Sequence, residues 1–192
     1  MLFDGRREVL IVSSSEKAVD FIKSKMSENY YIECVRSGTD ARQLLIDRDY
    51  DIVIINCPLK DEFGLDLAEN IIKDSYAGVM VLVSADVFDS VSFSMEKIGI
   101  YCLSKPLSSS TFIQGLTLTN ATYSRLKGLI NKTESLKEKM EEIRLVGRAK
   151  LLLITNLSLT ENEAHKYIEK QAMDRCVKKT VIANEIIKKY ND

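Results

Sequence analysis

The first 120 residues alternate between short β-branched runs and amphipathic stretches of helix length. The five runs are Val9–Val12, Tyr31–Val35, Ile52–Ile55, Val79–Val83 and Ile100–Leu103. Three of them are apolar throughout, which is typical of parallel strands covered on both faces. The segments long enough for helices are residues 15–28, 39–48, 62–74, 86–97 and 108 onward. Together they predict an α/β fold with a doubly wound, five-stranded parallel sheet.

From residue 108 the pattern becomes wholly helical, and no proline follows Pro106. Six residues recur at alternating spacings of three and four: Leu126, Leu129, Thr133, Leu136, Met140 and Ile143. This heptad seam predicts a long coiled-coil helix over residues 119–147 that invites a partner helix. A single amphipathic helix packed on its own domain would give a similar pattern.

The last 45 residues predict a small three-helix bundle over residues 148–192. Its first helix continues the long helix and breaks near Thr155. The second begins at Thr160, which forms a capping box with Glu163, and the third covers roughly 178–190. The apolar face of the second helix comprises Ala164, Ile168, Ala172 and Cys176.

Composition places the chain among globular proteins of one or two domains. It has 192 residues, of which 45% are apolar and 29% charged. No apolar run exceeds six residues, and the N-terminus lacks the features of a secretory signal. We therefore expect a cytoplasmic protein with no membrane span.

The cysteines and the histidine argue against metal sites and disulfides. Four cysteines stand singly, with no paired spacing and no histidine nearby, so we expect free, buried thiols. The sole histidine, His165, excludes any mechanism that needs two imidazoles. The sequence thus predicts no metal and no cofactor.

Charge is unevenly divided along the chain. Residues 1–120 hold 12 Lys and Arg against 18 Asp and Glu, whereas residues 121–192 hold 15 against 10. The asymmetry suggests an acidic module joined to a basic one that could meet a polyanion. Two ordinary solvated surfaces with a chance imbalance would explain it equally well.

Ligands of doubly wound sheets bind at the carboxyl ends of the strands. The residues at those ends are Ser13, Ser14, Asn56, Ser84 and Lys105. None carries the carboxylates that a Mg²⁺-dependent phosphoryl-transfer pocket needs. Ser13 is expected to cap the next helix in a capping box with Glu16, and Lys105 to donate to Asn56 or to a backbone carbonyl. The sequence predicts a non-enzyme.

Residues 1–118 resemble a response-regulator receiver domain, which has a flavodoxin-like fold. The resemblance rests on VLIVSSSE (9–16), YDIVIINCPLKDEFGLDLA (50–68), VLVSAD (81–86) and YCLSKP (101–106). It implies that the family's acidic Mg²⁺ pair falls on Ser13 and Ser14 and its phospho-accepting aspartate on Asn56. The responding hydroxyl and lysine are retained as Ser84 and Lys105, whereas the aromatic switch position holds Cys102. The pocket is therefore similar to that of pseudo-receivers.

Residues 120–190 resemble the ANTAR module, an RNA-binding antitermination domain that follows a coiled coil. The relevant stretches are RAKLLLI (148–154), LTENEAHKYIEKQAMDRC (159–176) and VIANEII (181–187). Leu151 replaces a usual glycine, and Lys179 stands where an apolar residue is common. His165 occupies a usually aromatic position, so we expect it to be a packing residue.

The basic bundle offers a set of candidate RNA contacts: Arg148, Lys150, Lys166, Tyr167, Lys170, Arg175, Lys178 and Lys179. Lysines would contact phosphates, and Tyr167 would either stack on a loop base or pack against the bundle. Lys166 and Lys170 are four residues apart and share a helix face. Lysines on a solvated surface helix would look the same by charge alone.

These resemblances imply a transcription antitermination regulator that binds paired RNA hairpins in a leader transcript as a homodimer. With a degenerate pocket, control would come from a sensor protein docked on the 86–118 face, or from dimerisation driven by RNA. A protein-interaction adaptor that has lost RNA binding is the alternative.

The seam by itself should dimerise weakly. Its flanking positions are Ile130, Lys132, Lys137, Lys139 and Arg144, so a parallel homodimer would oppose Lys132 to Lys137 and Lys139 to Arg144. We expect a 121–147 peptide to remain largely monomeric at micromolar concentration and low salt in sedimentation equilibrium. A stable parallel dimer under those conditions would contradict this.

Overall fold

The computed structural model describes residues 6–190. The strands are β1 (Arg7–Ser13), β2 (Tyr30–Val35), β3 (Ile52–Asn56), β4 (Gly78–Ser84) and β5 (Tyr101–Lys105). The helices are α1 (Glu16–Lys25), α2 (Gly38–Asp47), α3 (Leu65–Asp74), α4 (Ala85–Lys97), α5 (Ser109–Leu157), α6 (Glu161–Asp174) and α7 (Lys179–Tyr190). Two compact units result, Met1–Gly128 and Leu129–Asp192.

The first unit is built on a five-stranded sheet in the order β2-β1-β3-β4-β5, with every pairing parallel. The predicted doubly wound fold is confirmed. The three central strands are buried on both faces, since their apolar residues are almost wholly inaccessible.

Alternate residues of the central strands enter two separate cores, as the pleat requires. Leu10, Val53 and Val81 belong to the face covered by α2, α3 and α4. The opposite face, covered by α1 and α5, holds Ile11 and Ile54. Its helical contributions are Ile22, Phe112 and Leu116.

Beyond Phe112 and Leu116, helix α5 makes further contacts with the first unit around Tyr123. This side chain is buried, and its hydroxyl donates to the Asp51 carboxylate and accepts from Lys127 Nζ at 2.6 Å. The Arg7 guanidinium lies 4.9 Å from the Tyr123 ring centroid and donates to Ser124 Oγ at 2.7 Å. Burial, reinforced by the bond to Asp51, raises the pKa of Tyr123.

The second unit has a core of its own, made by the end of α5 with α6 and α7. Its buried residues are Val146, Ala149, Leu153, Ala164, Ile168, Ala172, Ile182, Ala183 and Ile186. The three-helix bundle is thus confirmed. Its first helix runs to Leu157, two residues beyond the predicted break.

Between its two buried ends, α5 exposes its heptad seam. Every residue from 131 to 141 is exposed, and Leu136, Met140 and Ile143 are 61, 71 and 73% accessible. The predicted domain boundaries at 118 and 147 both fall inside this continuous helix. No helix in the described range 6–190 is long and apolar enough to cross a membrane.

Helix starts follow the predicted capping signals in one of two cases. Thr160 and Glu163 form the expected capping box at the start of α6. At α1 the prediction is wrong, because Ser15 is the N-cap and accepts from the Ala18 amide at 3.3 Å. Ser13 remains the last residue of β1.

The cysteines are free, as predicted, but their burial differs from the expectation. Cys57 is buried, Cys34 and Cys102 are partly exposed, and Cys176 is exposed. Cys176 leaves the apolar face of α6 because the helix ends at Asp174 and Cys176 takes a positive φ of 50°.

Gly78 is required where α5 crosses the beginning of β4. A Cβ there would lie 2.8 Å from Thr119 Cγ2 and 2.9 Å from the Thr119 carbonyl oxygen. We expect Gly78→Ala to lower the free energy of unfolding by about 1–3 kcal/mol through overpacking. The measurement is urea unfolding of the full chain. Gly128→Ala is the control, since its Cβ meets nothing within 4 Å and alanine favours the helix. Equal stability of both variants would contradict the expectation.

Candidate functional site

The structure brings the five predicted pocket residues to one edge of the sheet. Ser13 and Asn56 end neighbouring strands and are register partners, as are Ser84 and Lys105. This is where parallel strands of an α/β sheet present their ligand-binding residues.

Three of the five residues form a hydrogen-bonded chain with Asn56 at its centre. Asn56 Nδ2 donates to Ser13 Oγ at 3.0 Å, and Lys105 Nζ donates to Asn56 Oδ1 at 3.0 Å. Lys105 also donates to the Cys57 carbonyl oxygen, so both partners expected for this lysine are present. Ser13 and Asn56 are only 2 and 5% accessible. Burial lowers the pKa of the Lys105 ammonium group.

Ser14 and Ser84 lie outside this chain of contacts. Ser14 is exposed and donates to the Pro58 carbonyl oxygen at 3.2 Å. The Ser84 side chain hydrogen-bonds the Asp86 carboxylate and thereby lowers the pKa of Asp86. The Ser14 hydroxyl therefore binds a backbone carbonyl, and the Ser84 hydroxyl binds a side-chain carboxylate.

The two carboxylates of the loop between β3 and α3, Asp61 and Glu62, bind α2. Asp61 accepts from the Gly38 amide at 2.8 Å and from the Thr39 amide and hydroxyl at 3.0 and 2.8 Å. These bonds lower the pKa of Asp61 to about 2. Glu62 pairs with Arg42, with 2.9 Å between Glu62 Oε1 and Arg42 Nη1. Among residues 6–190 no cluster of His, Cys, Asp and Glu could hold a metal ion.

The position of the aromatic switch in the receiver family, Cys102, is part of β5 and packs against the core beneath α4. Burial raises the pKa of this thiol to about 11 and that of Cys57 to about 12. Both thiols stay protonated at neutral pH and act as small packing groups.

The basic candidates of the second unit differ in whether they pair with a carboxylate of the same unit. Two of them lie near the end of α5. Arg148 is exposed. Lys150 is largely covered and donates to Glu161 at 2.8 Å. Lys150 therefore ties α5 to the beginning of α6.

Helix α6 presents Lys166, Tyr167 and Lys170 on its solvent side, opposite the buried Ala164 and Ile168. The structure shows neither lysine in a salt bridge within 4 Å among the described residues. Tyr167 is 42% accessible.

Met173 was missed by the sequence argument. It is 76% accessible and lies on the same side of α6 as the two lysines, three residues after Lys170. That spacing was the available signal, but an apolar residue at helical spacing is normally assigned to the core.

Arg175, Lys178 and Lys179 do not share one free face. Arg175 makes a two-pronged ion pair with Glu185 at 2.5 and 2.8 Å, and Lys179 pairs with Glu169 at 2.5 Å. Both pairs cross between α6 and α7, because the chain reverses between these helices. Lys178 is exposed at that turn.

His165 is half-buried on α6, and its Nε2 lies 3.4 Å from Glu169 Oε1. It lies beside the ion pair of Glu169 with Lys179.

Solved structures match the first unit. The signal receiver domain of an HD-domain-containing protein from Pseudomonas fluorescens Pf-5 matches 67% of this chain and 96% of its own, with 22% identity and a TM-score of 0.59. A response regulator receiver domain protein from Clostridium thermocellum covers 64% of this chain and 98% of its own, with 16% identity and a TM-score of 0.52. The fold of the first unit is that of a response-regulator receiver domain.

Family and sequence matches extend the assignment to the second unit. The ANTAR domain model matches residues 134–187. The transcriptional regulatory protein PdtaR of Mycobacterium tuberculosis is 31% identical over 138 residues, which is 72% of this chain and 67% of the relative. The chain belongs to the ANTAR-type response regulators.

Asn56 should act as the structural centre of the pocket. We expect Asn56→Ala to lower the free energy of unfolding by about 1–3 kcal/mol, because Ser13 and Lys105 lose a buried partner. Thermal and urea unfolding of the full chain measure this. Ser14→Ala is the control and should change stability by less than about 0.5 kcal/mol. An unchanged stability of Asn56→Ala would show that the contacts contribute nothing.

Proposed function

We propose that the chain is a transcription antitermination regulator that binds paired hairpins in a leader RNA as a dimer. Holding the antiterminator hairpins would prevent the competing terminator from forming. The observation that supports this most directly is the solvent face of α6, where Lys166 and Lys170 stand beside the accessible ring of Tyr167, inside the segment matched by the ANTAR model.

This face has the two chemical elements that RNA hairpins require. Lysines neutralise phosphates, and an aromatic ring accepts a splayed loop base by stacking. Because Lys166 and Lys170 are free of strong internal pairing, they can turn to phosphates without breaking a contact of the bundle.

The remaining candidates would contribute less. Lys150, Arg175 and Lys179 each hold a carboxylate of the same unit, so an RNA phosphate must compete with that carboxylate. Arg148 and Lys178 are exposed and extend the proposed surface at the end of α5 and at the α6–α7 turn.

A dimer would let the protein hold two hairpins together. Leu126, Leu129, Leu136, Met140 and Ile143 form the exposed dimer seam. Each copy would bind one hairpin, and the linkage would raise the effective concentration of the second. The positive flanks weaken the free dimer, and bound phosphates would offset them.

The receiver domain would act without phosphorylation. We propose residues 1–118 as a pseudo-receiver, 119–147 as the coiled-coil linker and 148–192 as the RNA-binding domain, with no enzymatic activity. The contacts among Ser13, Asn56 and Lys105 support this, because none of the five pocket residues carries a carboxylate to accept a phosphoryl group or to hold Mg²⁺. A sensor protein would dock on the 86–118 face.

The adaptor alternative has one specific observation in its favour. Leu151, which replaces a usual glycine, is 65% accessible and adds an apolar group to the surface of the proposed RNA-binding domain. An adaptor would use such a group to bind protein.

We expect full-length protein to bind a tandem two-hairpin RNA more tightly than either single hairpin, with an affinity that falls steeply with salt. Lys166→Ala with Lys170→Ala should weaken binding and reduce the slope of log K against log salt by about 1–2. Fluorescence anisotropy across a salt series measures both.

The matched control is Lys17→Ala with Lys23→Ala on α1, which removes the same charge from the first unit. Loss of affinity in both double variants would indicate nonspecific attraction. Equal, weak binding of the unaltered protein to every RNA would favour the adaptor.

A further inference from the structure

The exposed middle of α5 segregates its charges around the apolar seam. Taken at 100° per residue, Leu129, Leu136, Met140 and Ile143 form one narrow stripe. Four cations border the stripe on both sides: Lys132, Lys137, Lys139 and Arg144. Four carboxylates occupy the opposite side: Glu134, Glu138, Glu141 and Glu142.

No second copy of this chain can complement that arrangement. A parallel pair opposes Lys132 to Lys137 and Lys139 to Arg144, whereas an antiparallel pair opposes each flank to itself. In neither direction does a carboxylate of the second copy meet these cations. Arg144 has an internal partner, Glu141 at 2.7 Å, but the pair is exposed and three residues apart, so it is easily exchanged.

The width of the stripe indicates what kind of partner covers it. The apolar residues repeat only every three and four positions, and of the bordering positions only Ile130 is apolar. A helix that lies in a membrane interface has a broader apolar face. A polyanion such as RNA would satisfy the cations but would leave the leucine, methionine and isoleucine side chains in water.

We infer that this strip, Leu129–Arg144, is a docking site for an α-helix of a different protein that carries an apolar heptad seam flanked by Glu and Asp. Such a helix covers the four apolar side chains and places a carboxylate opposite each of the four cations. It binds more tightly than a second copy does, because four repulsive contacts become attractive ones.

An acidic helix and a second copy of this chain would compete for the same apolar seam. The acidic helix uses the same seam as a second copy, so its binding opposes the dimer that would hold two hairpins. This consequence rests on the proposed function, whereas binding of the acidic helix to the strip does not. The first arm of the experiment therefore contains no RNA.

The probe is a synthetic four-heptad peptide with Ile and Leu in the seam and Glu at every flanking position, labelled for anisotropy and titrated with the full-length protein. Its twin carries Lys at those positions. We expect the acidic peptide to bind roughly tenfold or more tightly than the basic one at low salt. The difference should shrink at high salt.

A charge-reversed chain tests the placement of the site. In the variant Lys132→Glu, Lys137→Glu, Lys139→Glu and Arg144→Glu the preference should invert toward the basic peptide. The matched control reverses four exposed lysines elsewhere, Lys17, Lys23, Lys188 and Lys189, each to Glu, and should keep the original preference.

Three outcomes would overturn the inference. Equal affinity for both peptides would show that the flanks do not select a partner. Self-association of the chain that the acidic peptide cannot displace would make a second copy the occupant. In a second arm, loss of hairpin RNA binding in the charge-reversed chain, without any binding of the acidic peptide, would assign the strip to RNA.

Discussion

Burial of one face of α5 at each of its ends is the interaction on which both units depend. Near its beginning the helix places Phe112 and Leu116 in the core on one face of the sheet, and Tyr123 is buried in the same unit. Near its end it supplies Val146, Ala149 and Leu153 to the bundle core. Without α5, one face of the sheet would lose one of its two covering helices, and the bundle would lose one of its three helices. Between these two ends, every residue of α5 from 131 to 141 is exposed.

In the pocket of the first unit, an amide and a hydroxyl stand where carboxylates would be, and both belong to one hydrogen-bonded chain with the Lys105 ammonium group. In a receiver pocket with several carboxylates, the negative charges repel one another, and a bound cation offsets this repulsion. Here the buried amide of Asn56 satisfies Ser13 and Lys105 at once, and the neighbouring Asp61 is held by the amides at the beginning of α2. A polar network with its partners in place favours one arrangement.

The second unit combines internal ion pairs with unpaired lysines, and the two groups have different tasks. Arg175 with Glu185 and Lys179 with Glu169 join α6 to α7 in a bundle whose apolar core is small. Lys166 and Lys170 contribute nothing to that joining. Both side chains lie on the exposed side of α6.

The sequence by itself determined the elements, since apolar periodicity is a local property. The central strands lie within two residues of their predicted ends, and the box of Thr160 with Glu163 caps α6 as expected. A similar local signal, Ser13 with Glu16, predicted a cap that does not form.

Only the tertiary structure decided the partner of Ser13. That residue stays in β1 because its hydroxyl meets Asn56, 43 positions away in the chain, at the end of the neighbouring strand. The pairing of Arg175 with Glu185 was equally undetermined, because a turn with a positive φ at Cys176 sets which side chains of α6 and α7 meet. A spacing pattern specifies neighbours along one helix or strand, whereas the packing of elements selects the contacts between them.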